Sequence, residues 1–174
     1  MKTTLKFLKV FIIILIVSLV MRALAKLYAI IHYALDTSTR ITIEGEVFPD
    51  SWTNFTIMIY LIIGSLFIFF LAYLAFVFRK VIIAFSKNSF FSSENAMQLT
   101  KVGKGLIFYG FGLFVLSFIL NFYLIDFTPY NSGRAFGRAV AKAIPIFIFS
   151  SFVLLIASII KKGNILQSEN ELTI

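Results

Sequence analysis

The 174-residue chain contains no cysteine and a single histidine. A disulfide framework is thereby excluded, and a Cys/His metal site has too few ligands to form. There is no thiol nucleophile, and His32 has neither a second ligand nor a serine positioned to be activated, so no enzymatic chemistry and no cofactor are expected. Charge is scarce as well: Asp, Glu, Lys and Arg make up 14% of the chain, against about 25% in soluble domains. Acids are the rarer sign, 8 against 16 bases. Proline occurs three times, which leaves long stretches open to uninterrupted helix.

What fills the chain is hydrocarbon. Hydrophobic residues make up 60% of it, 22 of them phenylalanine. A helix needs about 20 mostly apolar residues to cross a hydrocarbon core about 30 Å thick, and four stretches meet that rule: 8–35, 55–78, 106–125 and 143–160. The expected fold is therefore an all-α membrane protein, a four-transmembrane-helix bundle forming a single integral membrane domain over 1–174. Outer loops are expected at 36–54 and 126–142, a connector at 79–105 and a polar tail at 161–174. Pro145 is read as standing near the start of the fourth span, where its missing N–H is harmless. The phenylalanines are read as packing and lipid-facing bulk.

The N-terminus also carries features of a signal peptide: Lys2, Lys6 and Lys9 precede an apolar run, followed by Ala23-Leu24-Ala25. Arg22 directly before that site, and the apolar residues that resume at Leu27, suit one long retained helix better. Ten of the 16 bases then fall on the side of the two termini and six on the other, so both termini are expected in the cytoplasm. The protein is expected to be a multi-pass protein of the cytoplasmic membrane. The first outer loop carries four acids and one arginine, and its Arg40–Glu44 alternation suggests a short strand. Trp52 is placed at the outer interface.

Arg134, Arg138 and Lys142 recur at i, i+4 and i+8 and form one stripe on a helix. Three readings stand: a solvated face, ion pairing with the acids of the first loop, or an anion site shared with Arg22 and Lys26. The third span carries two pairs of small residues seven apart, Gly103 with Gly110 and Gly105 with Gly112. Ser65 with Ala72, Ser150 with Ala157 and Ser151 with Ser158 repeat the spacing. These are expected contact ridges for neighbouring helices or for a homo-dimer. Asn121 is the main polar residue inside the spans and suits a helix–helix hydrogen bond.

The connector contains Asn88-Ser89-Phe90-Phe91-Ser92-Ser93-Glu94-Asn95, in which Ser92 or Ser93 can cap a helix beginning near Glu94. Lys101 and Lys104 are expected to approach Glu169 and Glu171. Ser-Glu-Asn recurs in the tail, through old duplication or coincidence. Together with Gly163 and the tail from Leu166 to Ile174, this connector resembles the bacterial membrane family called domain of unknown function 2975, with a likeness extending over nearly the whole chain. Lys87 or Asn88 stands where the family pattern has glycine. The resemblance assigns no catalytic residues and implies, as a partner, a small helix-turn-helix regulator.

Docking of such a partner is expected on Asn88, Phe91, Ser92, Glu94, Asn95, Gln167, Glu169, Asn170 and Glu171; the alternative is a tail that is only a helix end in water. The lead function is that of a regulatory or sensing membrane protein. Toxin immunity is a second reading and transport a third, weakened because no acid lies within the spans. Direct nucleic-acid binding is not expected, because membrane topology already accounts for the basic residues.

Overall fold

The computed structural model describes residues 2–35, 48–87, 89–124 and 129–171. They form four helices: α1 (Lys2–Leu35), α2 (Asn54–Ser86), α3 (Ser93–Leu124) and α4 (Pro129–Glu171). All four are long and apolar enough to cross a membrane, and no strand occurs among the described residues. The chain is a multi-pass helical membrane protein. The Arg40–Glu44 strand and the first-loop acids up to residue 47 lie outside the described residues.

The helices overrun the expected spans. α4 has 43 residues, roughly 65 Å at 1.5 Å per residue, about twice the hydrocarbon thickness. The stretch expected as an outer loop at 126–142 is helix from Pro129 onward, because Ala135, Ala139, Ala141 and Ala143 are strong helix formers. The tail stays helical through Glu171, and the connector is helical at 79–86 and from Ser93 onward. Pro145 is accordingly not at a helix start but inside α4, where it leaves the Ala141 carbonyl without its helical donor.

Packing follows chain order: α1 lies on α2, α2 on α3 and α3 on α4. The two glycine ridges of α3 serve different neighbours. A Cβ at Gly103 would meet Leu154 and one at Gly110 would meet Phe147, both on α4; at Gly105 and Gly112 it would meet Leu74 and Phe67, both on α2. The Ser150 hydroxyl donates to the Gly103 carbonyl at 2.7 Å. Ala135, Ala139 and Ala143 are fully buried, a third run of small residues that lets a helix approach closely. Ser65 turns inward to its own helix, donating to the Leu61 carbonyl at 2.8 Å.

Three apolar clusters form along these contacts. Ile12, Leu19 and Ala23 of α1 meet Ile68, Ala75 and Ile82 of α2. Leu74, Val77 and Val81 meet Leu99 and Val102 of α3 and Val153 and Ile160 of α4. At the end away from the termini, Tyr33, Phe48, Trp52 and Tyr60 cluster with Ile57 and Leu120. Trp52 is thus buried, with its ring 5.5 Å from that of Tyr60 and 5.7 Å from that of Tyr123. Much of the outer surface is apolar, including exposed Phe69, Phe108, Phe149 and Phe152, as contact with lipid tails requires.

No backbone contact joins α1 to α3 or to α4 among the described residues. Residues of all four helices nevertheless line the same cavities. α1 and α4 therefore stand as the two walls of a cleft floored by α2 and α3.

Candidate functional site

At the end of the bundle that carries both termini, the turn between α2 and α3 is locked in place by its own backbone and by α4. The amides of Lys87 and Ser89 donate to the Ala84 carbonyl at 3.0 and 3.2 Å. Ser92 caps α3, its hydroxyl accepting from the Asn95 amide at 3.1 Å, and the exposed Glu94 stands in the first turn, where a carboxylate complements the helix dipole. Asn95 is buried and donates from Nδ2 to the Ser89 carbonyl at 2.7 Å. It ties down the turn.

Phe91 makes the link to α4. Its ring occupies the space that a side chain at Gly163 would need, while about half of Phe91 remains exposed. Beside it a groove of about 480 Å³ runs between α3 and α4, with Met97, Lys101 and Lys104 on one side and Lys161, Asn164 and Ile165 on the other. Sequence reasoning missed Met97, Lys161, Asn164 and Ile165, because only the crossing of α3 with α4 puts them together. The Lys101 ammonium lies 5.2 Å above the Tyr73 ring of α2. Gln167, Glu169 and Asn170 are exposed on the last turns of α4. Asn88 and the side chain of Glu171 lie outside what is described.

A second constellation occupies the other half of the molecule. Arg22 and Lys26 of α1 and Lys142 of α4 line one cavity of about 540 Å³, floored by Tyr60 and Gly64 of α2 and Tyr109 of α3. Lys26 is buried, 8% exposed, and a Cβ on Gly64 would stand 3.3 Å from its ammonium; the glycine leaves room for the charge. A buried cation in a membrane helix turns toward the protein interior or an aqueous cavity, because lipid cannot solvate it.

The expected five-residue basic cluster therefore divides. Arg22, Lys26 and Lys142 converge. Arg138 instead points from α4 to α3, its guanidinium 3.5 Å from the Asn121 Oδ1, and Arg134 is exposed one turn further toward the helix start. Asn121 is buried and also donates to the Ser117 carbonyl at 2.7 Å, in keeping with the helix–helix role expected of it. Tyr60, Gly64 and Tyr109 carried no signal in the sequence, since one glycine and scattered tyrosines in apolar spans have no distinctive spacing.

The model of the family described as "Protein of unknown function (DUF2975)" matches residues 39–174. α1 lies before the matched range, so the family match is shorter than the nearly full-length likeness expected from the motifs. Neither a curated protein nor a solved structure matches the chain.

Proposed function

The chain belongs to the DUF2975 family, and from that premise we propose that it is a non-enzymatic regulatory or sensing protein of the bacterial cytoplasmic membrane. Its terminal end faces the cytoplasm and holds a soluble helix-turn-helix regulator, the class of partner that the family resemblance implies. The observation that carries this reading is the seat of Phe91 on Gly163. It makes one surface of the connector and the tail, the two segments on which the resemblance rests. Both segments are polar and exposed around that seat, at Glu94, Gln167, Glu169 and Asn170. The adjacent groove adds exposed Met97 and Ile165, and flexible apolar side chains of this kind suit a partner helix.

The non-enzymatic part of the reading rests on composition: no cysteine and one histidine leave few groups for nucleophilic or acid–base work. The test is photocrosslinking in whole cells from single positions at Glu94, Met97 and Glu169, with the same label at exposed Phe108 in the lipid-facing surface as control. A shared soluble adduct from the first three positions, identified by mass spectrometry as a helix-turn-helix protein, supports the reading. Adducts to lipid or to nothing at all three positions sink it.

A further inference from the structure

We propose that the groove between α3 and α4 at the terminal end takes an acidic amphipathic helix of a soluble protein, set with its carboxylates toward the membrane. The inference rests on the reading of that end as a docking surface, and adds what docks there and which way round.

The groove is graded along its length. Its cations lie nearest the hydrocarbon: the apolar run of α3 begins at Leu106 and that of α4 ends at Ile160, and Lys101, Lys104 and Lys161 line the groove within about a turn and a half of those residues. Its apolar side chains lie farther out. Met97 stands nine residues before Leu106, roughly 13 Å, and Ile165 five residues past Ile160, roughly 7 Å. They are 63% and 47% exposed, outside the stretch that lipid covers. No acid lines the groove among the described residues. Glu94 and Glu169, both exposed, lie beyond Met97 and Ile165 on the same helices. Charge therefore runs from positive at the membrane to negative at the outer rim. The Lys101 ammonium is held over the Tyr73 ring, which positions it without neutralising it.

The order of these features selects the occupant. A phospholipid with its phosphate on the lysines sends its chains into the hydrocarbon, away from Met97 and Ile165, and leaves both in water. A nucleic acid could pair with the lysines but brings a charged backbone against the two apolar side chains. A helix arriving from the water side meets both: its apolar residues cover Met97 and Ile165, and Asp or Glu on the turn below reach the lysines. From Ser93 to Lys104 the groove runs roughly 16 Å along α3, about three turns of such a helix.

The experiment places the full chain in nanodiscs of phosphatidylcholine, whose zero net charge neither attracts nor repels a peptide. Three amphipathic helical peptides share one leucine face, carry Glu, Gln or Lys beside it, and bear the same neutral dye; binding is read by fluorescence anisotropy. The Glu peptide should bind more tightly than the Gln peptide, and the Lys peptide least. Lys104→Gln and Lys161→Gln should each weaken the Glu peptide by up to about fivefold, the most that one exposed ion pair contributes, and leave the Gln peptide unchanged. Met97→Ser should weaken both. Lys6→Gln, an equal change of charge at an exposed position of α1, should have no effect. No binding of the Glu peptide, or equal binding of the Glu and Lys peptides, by the unmodified chain overturns the proposal whether or not any variant folds. A loss from Lys6→Gln as large as that from Lys104→Gln also overturns it, since the attraction would then belong to the basic end as a whole. The whole-cell crosslinks judge the regulator separately. Regulator adducts from Glu94 and Glu169 with only lipid at Met97 keep the regulator and overturn the groove; discrimination among the peptides without a regulator adduct in cells supports the groove and overturns the regulator.

Discussion

The Ser150 hydroxyl, fully buried on α4, donates to the Gly103 carbonyl of α3 at 2.7 Å. This bond exists only because Gly103 has no side chain: a Cβ there would come within 2.6 Å of Leu154 on the same facing helix. Close approach and hydrogen bond are one feature. In lipid, where helices gain nothing hydrophobic by meeting, such features hold them together.

Ser150→Ala should lower stability by about 0.6 kcal/mol and by no more than about 1.7, the range for interhelical hydrogen bonds in membranes. Gly103→Ala should cost about 1–3 kcal/mol, since Leu154 must leave its position to admit the methyl. Unfolding of the detergent-solubilised chain by titration with a denaturing detergent measures both. A Gly103→Ala protein as stable as the parent would show that α3 and α4 are not in contact at this level.

The other glycines supply an internal contrast. A Cβ at Gly112 would overlap the Phe67 ring, whereas Gly133 and Gly137 have nothing within 4 Å of that position. Gly112→Ala should therefore destabilise. Gly133→Ala and Gly137→Ala should each stabilise by about 0.5–1 kcal/mol, because alanine is the better helix former and nothing obstructs it. Thermal unfolding of the three variants in one detergent decides the matter, and a Gly112→Ala protein at least as stable as the parent would contradict the placement of α3 against α2.

Phe91 and Gly163 are coupled, so their substitutions should not add. Gly163→Ala pushes the ring off α4, and Phe91→Ala removes it. Either should expose the segment around Phe91 to protease, and the double variant should be no more sensitive than Phe91→Ala alone. A coupling of about 0.5–3 kcal/mol is usual for residues in direct contact. Additive effects in limited proteolysis would mean that the ring does not rest on Gly163.

The heptad glycines could be read from the sequence because seven residues return to the same helix face, and each pair meets its own neighbour: Gly103 and Gly110 meet α4, Gly105 and Gly112 meet α2. Ser92 was legible as a cap for the same local reason. The spatial order of the helices was not. Nothing in a linear apolar pattern says that α1 and α4 stay apart, so the cleft between them and its Gly64 floor were hidden. Arg22, Lys26 and Lys142 stood out as bases near spans, yet the departure of Arg138 to Asn121 depends on how α4 is rotated against α3. The length of α4 was concealed by treating charge at 134–142 and 161–171 as loop, although alanine-rich and amide-rich segments continue a helix readily outside lipid.

The orientation of the bundle in the membrane is the last matter, and the cleft bears on it. Basic residues fix topology when they lie in short loops, where they resist translocation. Of the six bases on the side opposite the termini, Arg22, Lys26 and Lys142 line the cleft and Arg138 reaches Asn121 of α3, so these four are not loop charges. The count of ten bases on the terminal side against six on the other favours cytoplasmic termini. Because the chain has no cysteine, single introduced thiols report position without background. Ser51→Cys should react with a membrane-impermeant maleimide in intact cells, and Ser168→Cys only after the membrane is opened. Both serines are exposed, so burial cannot mimic protection. Labelling of Ser168→Cys in intact cells would put the connector and tail outside and remove any route by which a soluble cytoplasmic regulator could reach them.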